Sequence, residues 1–360
     1  MKKRTFALLT AVITFSVGVV LARLSLPNLF KTPPPVVIKE VIKEVQLSNY
    51  RLSGPYEFED LKIFLIHGPD APDSVIYTPL QEAMVRKIVT VHETGNVNEL
   101  AIENVSPYED VFVQAGDIVK GGKQDRVMAV DMILPANSGI VPISAFCVEQ
   151  SRWQARGFES ADHFSLTEMA APFSLTRALK EVATQAGVWD EVNASQERMV
   201  AGVAGNSDVR SEVSPTSLPL ALESSAVQES AEPYVMNLYT VPQRSNDVIG
   251  FAFAINDELK GADVYSSNMM FKKFWHRLLK AAAVEAVATP AIRPAPDALL
   301  IETIGSFLID AELGAKSVQE LNPRTQSVKR STASSLFFES RDNAYDGAWI
   351  HRSYLNRIIN

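Results

Sequence analysis

Short runs in the first half of the chain alternate apolar and polar residues with a period of two, and longer runs beyond residue 170 repeat apolar residues near every 3.6 positions. The first kind predicts strands in "IVTVHE" (88–93), "VNELAIENV" (97–105), "DVFVQAG" (110–116) and "IVPISAFCVE" (140–149), with "ETGN", "SPYED" and "PANSG" as turns. "RVMAVDMIL" (126–134) places Met128, Val130, Met132 and Leu134 on one face and is predicted as a single strand. Residues 88–149 therefore read as a strand-rich, mainly antiparallel unit. Just ahead of it, Thr78 as cap, Pro79 at the first helical position and Gln81 three residues after the cap predict a short helix.

The second kind predicts helices. Leu175, Leu179, Val182 and Trp189 share one face of 173–192, and Phe271, Phe274, Trp275 and Leu278 mark another helix that Pro290 stops. "PDALLIETIGSFLIDAELG" is a further helix, ended by Gly314. Two strands bracket an Asn/Asp/Gly-containing turn in "DVIGFAFAINDELKGADVY", and "SSLFFES" and "AWIHRSYL" form a closing hairpin. The stretch 195–233 sustains no period and predicts a mobile insertion. Strands followed by helices and more strands, without βαβ alternation, give an α+β fold: a mainly antiparallel or mixed sheet with packed helices.

The N-terminus has its own pattern. Lys2, Lys3 and Arg4 precede an apolar run from Phe6 to Ala22, roughly 17 residues, with no polar face. Residues 1–22 are read as a membrane anchor or signal segment, with cleavage near Ala22 and secretion as the alternative to a retained single span. With the basic cluster inside, the rest of the chain lies outside the cytoplasmic membrane. "KTPPPVV" and the β-branched "VVIKEVIKEVQL" make 23–50 a proline-containing tether, and 51–360 is a single domain.

Composition narrows the function classes. Hydrophobic residues at 46% support a sizeable core, and 34 basic against 42 acidic residues argue against nonspecific attraction to nucleic acid. One cysteine, Cys147, excludes an intrachain disulfide, and the five histidines show no ligand spacing, so neither a metal site nor a cofactor signature is read.

"AGDIVKGGKQDR" (115–126) has the look of a phosphate loop, but a Walker A motif with Lys123 as its lysine requires glycine where Asp117 stands and a hydroxyl where Gln124 stands. It must also open a helix, and here a strand follows. What remains is a glycine-rich turn between strands carrying Lys120, Lys123, Gln124, Asp125 and Arg126, with Gly121 and Gly122 permitting positive φ. In "CVEQSRW" (147–153), alternation puts Cys147 and Glu149 on one face, where Glu149 suits a general base, a ligand-orienting carboxylate or a partner of Arg126 or Arg152. Cys147 reads as a small buried hydrophobe or, less simply, a nucleophile. "GNSDV" lacks the last glycine of a nucleophile elbow, with Val209 in its place, and Lys273, His276, Arg277 and Lys280 form a solvated basic helix face.

With "TPLQEAM", "VQAGDIVKGGKQDR", "FCVEQSRW", "VIGFAFAINDELKGADVYSS" and "FKKFWHRLL", the chain resembles the ADP-ribosylglycohydrolase- and rhodanese-phosphatase-associated protein domain family over most of 50–290. The resemblance implies an α+β domain and, by association, a link to ADP-ribose or phosphate metabolism. Carried onto this chain, its motif positions are Gly122, Lys123, Gln124, Arg126, Cys147, Glu149, Arg152 and Trp153. The expectation is a membrane-tethered domain that binds a small anionic ligand through Gly122, Lys123, Gln124, Arg126, Arg152 and Trp153. The alternatives are a hydrolase of a nucleotide- or ADP-ribose-like substrate with Glu149 as base, and a structural envelope protein in which these residues form a buried network.

Overall fold

A computed structural model describes residues 42–72, 74–157, 159–290 and 301–357. The chain divides into units 1–37 and 38–360, and the second is described here. The anchor segment and most of the tether lie outside the described residues, among which no helix is long and apolar enough to cross a membrane.

Strands β1 (Lys43–Gln46), β2 (Arg51–Phe58) and β3 (Leu61–His67) form an antiparallel meander. The fold therefore begins ahead of Tyr50, inside the expected tether, because Lys43 to Gln46 find ladder partners in Gly54 to Arg51. The capping box does not form, because Pro79 stands at the cap position and no side chain caps the helix. Helix α1 comprises Leu80–Val85, while Thr78 pairs in the short β4 (Thr78–Pro79) and donates its hydroxyl to Glu109 at 2.8 Å.

The predicted strand unit follows as β5 (Val89–Glu93), β6 (Glu99–Asn104), β7 (Val111–Val113), β8 (Ile118–Gly121), β9 (Arg126–Met128), β10 (Met132–Leu134), β11 (Gly139–Cys147) and β12 (Phe164–Leu166). Six of these form a sheet in the order β12-β8-β9-β11-β6-β5, and β10-β7-β4 form a second; Val91, Leu100, Ile102, Val113, Leu134 and Ile143 share one core. The single strand expected over 126–134 is two strands in different sheets. The chain leaves the ladder at Ala129, and the Asp131 carboxylate takes up the Ala115 N–H at 2.8 Å.

The helix expected over 173–192 also divides, into α2 (Phe173–Glu181) and α3 (Gln185–Gly202). Ala183 turns to φ +51°, and the Thr184 side chain caps α3 by accepting the Gly187 N–H. Residues 195–233 are not a loop. They hold the end of α3, then α4 (Leu218–Leu222) and most of α5 (Ser225–Leu238), and Met199, Leu218, Leu222 and Val227 are buried in the main core. Ser217 and Ser224 cap these helices, so hydroxyls that suggested a polar loop are helix boundaries. Short elements with separate caps hide their periodicity from any long window.

The chain then returns as β13 (Val248–Ile255) and β14 (Glu258–Tyr265), joined through Asn256 and Asp257 at positive φ. Helices α6 (Asn268–Val287) and α7 (Ile301–Glu312) precede β15 (Ala315–Glu320), β16 (Thr325–Ser331), β17 (Ser335–Asp342) and β18 (Ala348–Asn356). A nine-stranded antiparallel sheet results, in the order β1-β2-β3-β13-β14-β18-β17-β16-β15. Ile304 and Leu308 of α7 pack on one face with Phe64 and Ile66, and Phe271 and Trp275 of α6 pack on the other with Phe251. The α+β reading with antiparallel sheets holds. The basic face of α6 is not wholly solvated, since Arg277 is buried against Asp117 at 2.7 Å.

Candidate functional site

The residues singled out at 121–126 and 147–153 do come together, as β9 pairs with both β8 and β11. Gly121 and Gly122 take φ of +116° and +54°, and a Cβ on Gly122 would fall 2.2 Å from Phe164 Cζ, so the turn needs glycine there. Glu149 lies just beyond the end of β11 and is fully buried. Its Oε1 accepts from Arg152 Nε at 2.7 Å, from Arg156 Nη1 at 3.3 Å and from the Ser214 hydroxyl. Its Oε2 accepts from Arg152 Nη2 at 2.6 Å and from the Asp125 N–H at 3.0 Å. Asp125, also buried, accepts from Arg156 Nη1 at 2.9 Å, from the Ser217 hydroxyl at 2.6 Å and from the Gly121 N–H at 2.8 Å.

Two carboxylates and two guanidiniums thus share one buried cluster. Burial works against the Glu149 charge, but Arg152, Ser214 and the Asp125 N–H outweigh it and hold its pKa below the ordinary range. Burial pushes Asp125 upward despite Arg156, with Glu149 adding repulsion. The cluster clamps the turn, the 149–156 segment and the 214–217 segment to one another. Asp125 was placed in the turn without a role, Arg156, Ser214 and Ser217 were absent from the sequence-derived set, and Ser214 and Ser217 belong to the stretch read as mobile.

Arg126 belongs to a neighbouring group. It donates to Gln124 Oε1 at 3.3 Å, to Cys147 Sγ and to Glu93 Oε1 at 3.5 Å, and does not reach Glu149 among its recorded bonds. Gln124 links the groups by donating to the Glu149 carbonyl at 3.0 Å. Burial pushes the Cys147 thiol up to about 11 although Arg126 opposes it, so the thiol is protonated at neutral pH and reads as a core residue. Lys123 and Trp153 sit at the outer edge, the ammonium 5.3 Å from the indole centroid, and the Arg126 guanidinium lies 5.6 Å from the same ring.

A second polar constellation lies where the outer strands of the nine-stranded sheet face β11. Register builds it. Asp263, Ser353, Phe338, Lys329 and Ser317 are successive cross-strand partners over β14, β18, β17, β16 and β15. The next row on the same face is Tyr265, His351, Ser340, Ser327 and Gln319. From these rows Phe338, Lys329, Ser317, Ser340, Ser327 and Gln319 line a cleft of about 330 Å³ with Ser144 and Phe146 of β11, and Asp131 and Lys180 are also in its wall. Lys180 Nζ lies 4.7 Å and Lys329 Nζ 5.5 Å from the Phe338 ring centroid. Neither ammonium forms a salt bridge with a described residue.

The model of the ARG and Rhodanese-Phosphatase-superfamily-associated Protein domain, ARPP-1, matches residues 49–355. The chain belongs to this family. No curated protein and no solved structure matches it.

Behind Asp131 of the cleft wall, the ARPP-1 domain buries His351 between two carboxylates. Nδ1 meets Asp131 Oδ2 at 2.8 Å, Nε2 meets Asp263 Oδ1 at 2.9 Å, and Tyr265 stacks on the ring at 4.7 Å. Burial disfavours the imidazolium, but Asp131 and Asp263 outweigh it and raise the pKa to about 9. Burial likewise opposes the Asp131 charge, yet His351, Lys180 and the Ser340 hydroxyl hold it well below the usual carboxylate range. Among the described residues, no group of three or more His, Cys, Asp or Glu side chains is arranged to hold a metal ion. No local pattern marked His351, because its partners lie 220 and 88 positions away.

Proposed function

We propose that this ARPP-1 domain binds a small phosphate- or carboxylate-bearing ligand in the cleft between β11 and β15–β17. The observation that carries the reading is the pair Lys180 and Lys329, two ammonium groups that form no salt bridge with a described residue, set over one aromatic ring in a cleft of about 330 Å³. Ser144, Ser317 and Ser327 supply neutral donors around them, and Phe338 supplies a flat apolar surface. The cleft is favoured over the 121–126 turn because Arg152 and Arg156 are already paired there with Glu149 and Asp125, which leaves Lys123 and Trp153 at the outer edge. A ligand that bears two anionic groups and a ring matches the arrangement best.

Thermal unfolding with inorganic phosphate, citrate and a nucleoside diphosphate sugar tests this. Ligand at about a hundred times its Kd stabilises the native state by about 2.7 kcal/mol. That gain is expected in the native protein and is expected to vanish in Lys180→Met/Lys329→Met, whose ligand-free Tm stays near the native value. Equal stabilisation of native and variant protein, or none from any probe, would sink the cleft as the site. Turnover of the nucleoside diphosphate sugar that is lost in Lys180→Met/Lys329→Met would instead establish a hydrolase.

We also propose that the domain stands outside the cytoplasmic membrane, tethered through 6–22, on the support of the basic residues Lys2, Lys3 and Arg4 ahead of that run. Protease added to intact spheroplasts is expected to digest it, and protection that persists until lysis would overturn the placement.

A further inference from the structure

Strand β15 is the edge of the nine-stranded sheet, and all six of its residues are exposed. One position beyond it, the Leu321 N–H donates to the Thr325 carbonyl at 2.9 Å across the turn into β16. Backbone groups point to alternate sides of a strand, so Ala315, Ser317 and Gln319 bond inward to β16. Lys316, Val318 and Glu320 therefore direct their N–H and C=O groups to the free edge. Side chains alternate as well: Ser317 and Gln319 line the cleft, and Lys316, Val318 and Glu320 occupy the other face. Val318 is 48% exposed, and Lys316 forms no salt bridge with a described residue.

This edge complements its own reverse. In two copies laid antiparallel about a two-fold axis through Val318, Val318 opposes Val318, Lys316 opposes Glu320 at each end, and Ser317 opposes Gln319. The opposed positions 316, 318 and 320 are also those with free backbone groups, so each pair exchanges two N–H···O bonds with no change of register. Backbone parity permits this alignment, and charge complementarity selects it among the registers that parity allows. Glu320 is already steadied at the edge by Gln326 Nε2 at 2.7 Å and Asn343 Nδ2 at 2.8 Å, and its carboxylate keeps lone pairs for a lysine.

We propose that β15 is a self-pairing strand through which a second copy of this chain joins, making one continuous sheet across the two-fold axis. Ser317 and Gln319 of the second copy then extend the cleft wall, since opposed residues share a face. That extension rests on the proposed ligand cleft, while the pairing itself rests on β15 alone.

Cross-linking of the full chain tests the pairing, because the native thiol of Cys147 is buried and does not compete. Hydrogen-bonded antiparallel partners stand about 5.5 Å apart at Cα, within disulfide reach. Under copper phenanthroline in air, Val318→Cys is expected to convert most of the chain to a disulfide dimer. Lys316→Cys alone places its thiols about 14 Å apart along the strands and is expected to stay at background, but to cross-link when mixed with Glu320→Cys. Adding Lys316→Glu to Val318→Cys sets like charges opposite and is expected to cut the dimer yield several-fold, and adding Glu320→Lys as well restores it. Absence of the Val318→Cys dimer, equal cross-linking by Lys316→Cys, or indifference to the charge reversals would each overturn the proposal. Ligand stabilisation lost in Lys180→Met/Lys329→Met reports on the cleft separately, so the two ideas fail in different assays.

Discussion

His351→Ala is expected to lower the unfolding free energy by about 3–5 kcal/mol, the usual cost of removing one partner from a buried charge cluster. The substitution leaves Asp131 with the Ala115 N–H and Ser340 but no cation in contact, and it leaves Asp263 without its recorded donor. It also opens a void beneath Tyr265, which stacks on the imidazole. The same cluster predicts a pH dependence of definite sign. His351 rises from 6.5 in the unfolded chain to about 9 in the fold, so its contribution is complete below 6.5 and disappears as pH climbs through about 9. The amount at stake is on the order of 3 kcal/mol. Asp131 works in the opposite sense: its folded pKa is depressed, so its share is present above the ordinary carboxylate range and is lost as pH falls through the folded value. Urea titrations at pH 6 and pH 9.5 check the statement for His351. The native protein should lose stability at the higher pH, and His351→Ala should lose much less; parallel losses would show that His351 is not the titrating group.

Glu149→Gln is expected to cost a similar 3–5 kcal/mol, and its outcome separates a buried clamp from a catalytic base. Both carboxylate oxygens are in use, and between them they accept from Arg152, Arg156, Ser214 and the Asp125 N–H. An amide keeps a single acceptor and turns an NH₂ group toward donors, so at least one guanidinium contact is lost and the cluster carries an uncompensated positive charge. Asp125→Asn should cost about as much alone, and the double variant less than the sum, because the two carboxylates share Arg152 and Arg156. Chemical denaturation of the four proteins measures the cycle. A Glu149→Gln protein as stable as the native one would show slack in the cluster and return Glu149 to the list of candidate bases.

Much of the local structure was legible because it is written in neighbouring residues. The alternation in 88–93 and 140–149 gave β5 and β11, the apolar stripe of 268–287 gave α6, and the Asn-Asp turn marked the β13–β14 hairpin. The meeting of the glycine turn with "CVEQSRW" was also within reach, since β9 pairs with its neighbour β8 and with β11, only one short strand further along the chain. Errors arose where a carboxylate or a hydroxyl replaced a regular backbone partner. Asp131 ends a ladder that the alternation of 126–134 would continue, and Ser217 and Ser224 begin helices in a stretch whose composition suggested a loop. Arg277, at a basic position of a helix face, is buried because Asp117 from a distant loop meets it.

The sequence by itself determined the fold class, the strand-rich unit and the main helices, all of which depend on periodicity or on residues a few positions apart, while it left Arg126 and Arg152 both open as partners of Glu149. Only the tertiary structure decided that the nine-stranded sheet unites 43–67 with 248–265 and 315–356, and that register across its outer strands aligns Lys329, Phe338 and Ser353 with Asp263. The physical reason is that a β-ladder is chosen by complementarity between complete surfaces, not by short-range propensity, and so a site assembled across strands leaves no spacing in the chain.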